Sequence, residues 1–332
     1  MVEPWRARFL SAFAAATVPL LAGLTLLPAV ATAQKFPDRP IKLVVPFAVG
    51  GGTDILARQI APRLGEALGQ AVMVENRGGA GGNIGFEAVA KSPADGYTLL
   101  FGNNSLTINA GLYRNLAFDA SKSFAPVGVI ATAPLVLVTT PDQSIANVTE
   151  LVAQARARPG ALNWSSPGSG TPGHLATELF NKLTGTSITH VQYKGGGPSV
   201  IDLLGKHTQV SIQTLAAVKP FIDTGRLRPL AVAAGRRTKL MPDLPTIAEA
   251  GVPGYEADLW YALFVPAGTP EPVVRTLNAA LNKVLLDKEV QQLLFGNGFE
   301  VMPGSSENLR TLFMTDLART VKLIADTGIK VE

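Results

Sequence analysis

The sequence predicts an α/β protein of two lobes joined by two crossings of the chain. Three observations carry this. Short β-rich runs alternate with helical stretches at the spacing of right-handed βαβ units, which predicts parallel sheets. The alternation occurs twice, each time with glycine-rich loops between strand and helix. Two long β-rich stretches, residues 127–140 and 257–265, separate the two series. The second lobe, 137–258, is then an insertion into a first lobe made of 34–136 and 259–332. One large doubly wound sheet is the alternative.

The first series opens with a buried-strand run at 41–47 (IKLVVPF), a glycine loop, and an amphipathic stretch over 54–68. A strand at 72–75 leads through RGGAGG to a helix over 84–90. Asp95-Gly96 then turns into a strand at 97–101. Beyond the first long β-rich stretch, which Pro134 interrupts, helices are expected at 148–157, 174–183 and 199–204. Strands are expected at 162–165, 188–193, 209–214 and 227–233. The second long β-rich stretch leads to helices at 272–286, 288–295 and 306–326.

Composition removes several function classes. The chain has 332 residues, 16% charged, 47% hydrophobic, with no cysteine. Disulfides, thiolate metal sites, cysteine nucleophiles and an N-terminal lipid anchor are thereby excluded. Three histidines, His174, His190 and His207, leave little material for a metal site, and neither metal nor cofactor is expected. Arg6 and Arg8 precede an apolar stretch that ends in Ala31-Thr32-Ala33, the pattern of a secretory signal peptide over 1–33. An uncleaved anchor helix is the rival reading of that stretch. Removing Arg6, Arg8 and Glu3 from 29 basic and 25 acidic residues leaves 27 and 24, net +3. No basic run carries interleaved aromatics, so nucleic acid is not an expected partner.

Chemistry concentrates in four glycine loops: 46–54 (PFAVGGGTD), 77–82 (RGGAGG), 165–174 (SSPGSGTPGH) and 194–199 (KGGGPS). Each precedes a helix, whose first N–H groups lack partners and whose dipole is positive there, so an anion is favoured. Glycine lets the main chain approach a ligand, and Gly51 is the position expected to do so. None of the four is a P-loop, and none is a dinucleotide fingerprint. Ser169 in PGSGT does not form a nucleophile elbow. His174, at a helix start, reads as structural or ligand-orienting. Asp54 reads as a cap or dipole partner, with general base as the enzymatic alternative. Arg77 and Lys194 are either solvated charges or direct carboxylate partners. Trp260 and Tyr261 either wall a crevice or pack as a hinge strand.

Taken together, PFAVGGGTDILAR, VENRGGAGGNIG, SPADGYTLL, SSPGSGTPGHLATELF, VQYKGGGPSVIDLL, LPTIAEAGVPGYE and PAGTPEPVV resemble the receptors of tripartite tricarboxylate transporters, the Bug family. The chain departs from the family at Gly78, where proline is frequent, and at GKHTQV, where GGQVD-like residues are common. The resemblance implies a two-lobed periplasmic binding protein fold of type II with two crossover strands at the hinge. It implies a ligand carboxylate held by backbone groups and waters between Phe47, Ala48, Gly50, Gly51, Thr53 and Asp54 of the first loop and Ser166, Gly168, Ser169, Gly170, Thr171 and His174 of the facing loop. Ser105 and Lys194 complete the expected site. The implied role is a monomeric periplasmic receptor, not an enzyme. It would deliver a tricarboxylate, dicarboxylate, acidic amino acid or aromatic acid to the large and small integral membrane components of its transporter. A sensing subunit for a signalling partner and a periplasmic hydrolase or isomerase are the alternatives.

Overall fold

A computed structural model describes residues 36–330, so the expected signal peptide lies outside the described residues. The first series comprises β1 (Ile41–Val45), α1 (Gly52–Leu68), β2 (Val72–Asn76), α2 (Asn83–Ala90), β3 (Thr98–Asn103), α3 (Ser105–Leu112) and β4 (Phe124–Thr132). Next come β5 (Leu135–Thr139), α4 (Val148–Ala157), β6 (Asn163–Ser166), α5 (Pro172–Thr184) and β7 (Thr189–Gln192). They are followed by α6 (Gly196–Leu204), β8 (Val210–Thr214), α7 (Leu215–Asp223) and β9 (Arg228–Val232). The chain ends with β10 (Trp260–Pro266), α8 (Glu271–Leu285), α9 (Lys288–Gly296), β11 (Glu300–Val301) and α10 (Ser306–Thr327).

These strands form two sheets. The first has six strands in the order β11-β4-β10-β3-β1-β2, the second five in the order β7-β6-β8-β5-β9. The chain leaves the first sheet after β4 and returns to it at β10. At the crossings the Ala133 N–H donates to Leu259 O (3.1 Å), so the two connecting segments are bonded to each other.

Both sheets are mixed, where the βαβ spacing predicted parallel ones. β1 pairs in parallel with β2 and β3, and β6 with β7 and β8. β10 runs antiparallel to β3 and β4, and β5 antiparallel to β8 and β9. The two-residue edge strand β11 is antiparallel to β4 as well, whereas β5 and β10 each follow a passage between sheets. A chain arriving from the other lobe is not bound by the right-handed helical crossover that enforces parallel order.

The local reasons for these elements are ordinary. α10 starts with a capping box between Ser305 and Asn308, and the Asp287 side chain caps α9 through the Glu289 and Val290 N–H groups. Gly69 ends α1 in the left-handed conformation. Aromatic rings tie each lobe together. Phe118, Phe124, Phe264 and Phe313 form an edge-to-face chain in the first. Trp164, Phe180 and Tyr255 do the same in the second. Each buried ring contributes about 1.5–3 kcal/mol by transfer from water. α10 is tied back by the buried Asp316, which accepts from Thr107 Oγ1 (2.6 Å). No helix among the described residues is long and apolar enough to cross a membrane.

Candidate functional site

The loops after β1, β6 and β7 meet where the two sheets face each other, and each starts a helix. α1 has no side-chain cap, and its first ladder bond runs from Ile55 N–H to Gly51 O (3.0 Å). The N–H groups of Gly52, Thr53 and Asp54 therefore precede the ladder. α6 is also uncapped by a side chain and begins bonding only at Ser199, which leaves the N–H groups of Gly196 and Gly197 outside it. α5 is capped by Thr171, whose Oγ1 accepts from His174 N–H (3.3 Å), while Pro172 has no donor, so Gly173 N–H precedes the ladder there.

These three termini surround a cavity of about 40 Å³, space for about three waters. It is lined by Phe47, Gly51, Gly52 and Thr53 from the first loop and by Pro167, Thr171, Pro172 and Gly173 from the facing loop. Gly196, Asn103, Gln213, Thr214, Leu135, Leu259 and Tyr261 complete the wall. None of the lining residues is charged. Polar side chains are fixed before any ligand arrives. Asn103 receives the Ser105 N–H (2.9 Å) and donates to Thr53 Oγ1 (3.3 Å). Gln213 donates to Ser199 Oγ (2.7 Å) and Ser211 Oγ (2.8 Å). Burial pushes the Tyr261 phenol well above its usual range, so it stays a neutral hydroxyl near Thr214 Oγ1 (3.4 Å).

Of the residues expected from the sequence, Phe47, Gly51, Thr53 and Thr171 line this cavity. The others do not line it, and most of them have polar groups engaged elsewhere. Ala48 N–H donates to Lys194 O on the opposite lobe (3.2 Å), and the Lys194 side chain is exposed. Gly50 N–H donates to Asp54 Oδ2 (3.0 Å). Asp54 itself is buried and binds Arg58 and Asn76. Ser166 Oγ meets His190, Ser169 Oγ donates to Gln192 (2.9 Å), and Gly168 N–H donates to Ser166 Oγ (3.2 Å). Gly170 abuts Asn109, and Ser105 is fully buried behind Asn103. Arg77 is exposed and pairs with Glu75. Sequence reasoning missed Asn103, Gln213 and Thr214, which end strands whose meeting no local pattern encodes. Tyr261 walls the crevice, whereas Trp260 packs on Phe264 and Phe313.

His174 holds the facing loop in shape, its Nδ1 accepting from Gly170 N–H (3.3 Å). Its ring lies 4.6 Å from that of His190. Burial pulls His174 down to about 3, with the charge of His190 adding to it, and burial pulls His190 down to about 4. Unfolded, both take up a proton near pH 6.5. Between pH 6.5 and 4 the unfolded chain binds more protons, so acidification destabilises the native state by up to about 1.4 kcal/mol per unit for each histidine. Thermal unfolding midpoints are expected to fall through this window and to fall less steeply in His190→Gln. Equal slopes would show that His190 titrates normally.

A family model described as the tripartite tricarboxylate transporter family receptor matches residues 56–329. The chain belongs to this family. Protein BugT of Bordetella pertussis is 38% identical to the receptor over 303 residues, 91% of this chain and 93% of that one. Among solved structures, the R. palustris protein Rpa4515 with adipate is 40% identical, with a TM-score of 0.86 over 90% of the receptor and all (100%) of that chain. MatC from Rhodopseudomonas palustris with bound malate is 31% identical, with a TM-score of 0.84 over 87% of the receptor and all (100%) of that chain. The receptor thus has the two-lobed fold of the periplasmic solute-binding proteins.

Proposed function

We propose that this protein captures a small organic carboxylate in the cavity between its lobes and delivers it to the membrane components of a tripartite tricarboxylate transporter, without catalysing a reaction. One observation carries the reading. Three helix N-termini aim free donors into a cavity whose wall has no charged side chain. Such a wall favours an anion through oriented dipoles, each charge-assisted hydrogen bond contributing roughly 1.5–3 kcal/mol. It offers no built pair of general acid and base within the cavity. The relatives seen with adipate and with malate make dicarboxylates the first class to test. At about 40 Å³ the cavity accommodates a carboxylate head group.

Thermal shift of the stripped mature protein against adipate, malate, citrate and adipamide tests this. At a hundredfold excess over its dissociation constant a cognate acid stabilises by about 2.7 kcal/mol, a shift of several degrees. Adipamide should shift far less, because its amide is uncharged and offers a carbonyl acceptor but turns its N–H₂ donor to donor against the helix termini. Arg77→Ala and Lys194→Ala should retain the shift. Equal shifts from acid and amide, or loss of binding in either charge variant, would remove the dipole-site reading.

A further inference from the structure

The second lobe holds a set of donors that carboxylate capture does not use. His174 and Glu178 stand four residues apart on α5 and so share one face. His190, on β7, brings its ring against that face. One donor atom from each of the three can be chosen so that all lie within 4.8 Å of one another. His174 is buried, while Glu178 and His190 are half-buried, so part of the cluster is exposed to solvent.

We propose that His174, Glu178 and His190 form a binding site for a borderline divalent cation of the zinc(II) class. Two imidazoles and one carboxylate with a fourth position left to water is a ligand set that zinc(II) accepts, whereas calcium and magnesium select oxygen donors. In a tetrahedral set, bonds of about 2.0–2.2 Å hold the donors roughly 3.3–3.6 Å apart, so side-chain rotation has to draw the widest pair in by up to roughly 1.5 Å on binding.

Occupancy has a consequence for the neighbouring loop, whichever nitrogen of His174 is used. Its Nδ1 accepts from Gly170 N–H, which places the ring proton on Nε2. An ion on Nδ1 displaces that bond directly. An ion on Nε2 shifts the ring proton to Nδ1, where it faces the Gly170 N–H donor to donor. Both routes release the Gly170 amide. Coordination by His190 Nε2 would also displace the Ser166 hydroxyl. The loop that walls the carboxylate cavity is therefore loosened by the cation.

The test uses untagged mature protein, stripped with a chelator and titrated calorimetrically with zinc(II). The expected result is one equivalent bound, with affinity reduced by at least about tenfold to a hundredfold in Glu178→Gln and in His190→Gln. Glu178→Gln is close to isosteric at a half-buried position, so it separates loss of a ligand from loss of fold, which circular dichroism checks. His207→Gln, at the exposed pair with Asp202, should bind zinc(II) as the parent does. Hydrogen exchange over residues 166–174 should accelerate on zinc(II) binding in the parent protein and stay unchanged in Glu178→Gln. No uptake of zinc(II), or uptake that survives both ligand substitutions and is lost in His207→Gln, overturns the site. Uptake without faster exchange overturns its coupling to the loop.

Discussion

Gly197→Ala is expected to weaken carboxylate binding by a hundredfold or so, about 2.7 kcal/mol, while leaving the unliganded protein as stable as the parent or slightly more so. Gly197 lies in the first turn of α6 with an ordinary helical backbone, so alanine is favoured there by up to about 1 kcal/mol. Its added Cβ, however, would stand 2.3 Å from Val49 O on the opposite lobe. The obstacle is backbone, not the end of a flexible side chain, and a carbon cannot approach an oxygen that closely. The lobes would have to stay apart, so donors from α1 and α6 could not converge on one anion. Gly81 and Gly170 also face the other lobe, but at φ +63° and +81° any side chain strains the loop itself. Gly197, with its ordinary helical backbone, separates closure from folding. Calorimetric titration with adipate, together with thermal unfolding of the unliganded variant, measures both halves. Parent-like affinity would mean that the contact between these loops is not required for capture.

The same contact explains what the sequence could and could not say about the glycines. That loops 46–54 and 194–199 join strands to helices is written locally, in the apolar run before each and the periodic run after it. What a glycine faces is not written there. Gly51 was expected to meet the ligand, and it does line the cavity, but the nearest atom to a Cβ at that position is Gly196 N at 3.1 Å. Part of the glycine content thus serves backbone against backbone across the cleft. Two helices escaped the reading for different reasons. In α3 the first five residues, Ser105 to Asn109, are all buried, so no polar face marks a period. In α7 Pro220 sits inside the helix and reads as a breaker. Strand direction escaped too, because β5 and β10 are set by where the chain comes from, not by their own residues. The helix that carries His174 was legible, though it begins two residues earlier at Pro172; the approach of His190 from β7 was not.

Asp54→Asn carries the largest expected cost in stability, and the reason lies in how the first loop is held. Asp54 is 2% exposed. Its Oδ2 receives Gly50 N–H (3.0 Å), and its Oδ1 receives Arg58 Nε (2.9 Å) and Asn76 Nδ2 (2.9 Å). Asn76 in turn donates to Phe47 O (3.0 Å), so one carboxylate clamps both ends of residues 47–50 to β2. An asparagine keeps the shape but replaces one acceptor by an N–H₂ group, which must confront the Gly50 N–H or the Asn76 amide, donor to donor. Hydrogen bonds to a buried charge contribute about 1.5–3 kcal/mol each, and the share of Arg58 is discounted because that side chain is half exposed. A net loss of about 2–4 kcal/mol follows, read as a fall of several degrees in the unfolding midpoint. Two effects on binding oppose each other. Removing a negative charge near an anion site favours the ligand, but Arg58 already offsets that charge, and a screened residue of it is worth less than about 1 kcal/mol. Releasing Gly50 unfastens the loop that leads into the donors of α1, and this effect should dominate, weakening adipate binding. A variant that unfolds at the parent temperature and binds adipate more tightly would show that Asp54 acts on the ligand by charge alone and that the clamp contributes nothing.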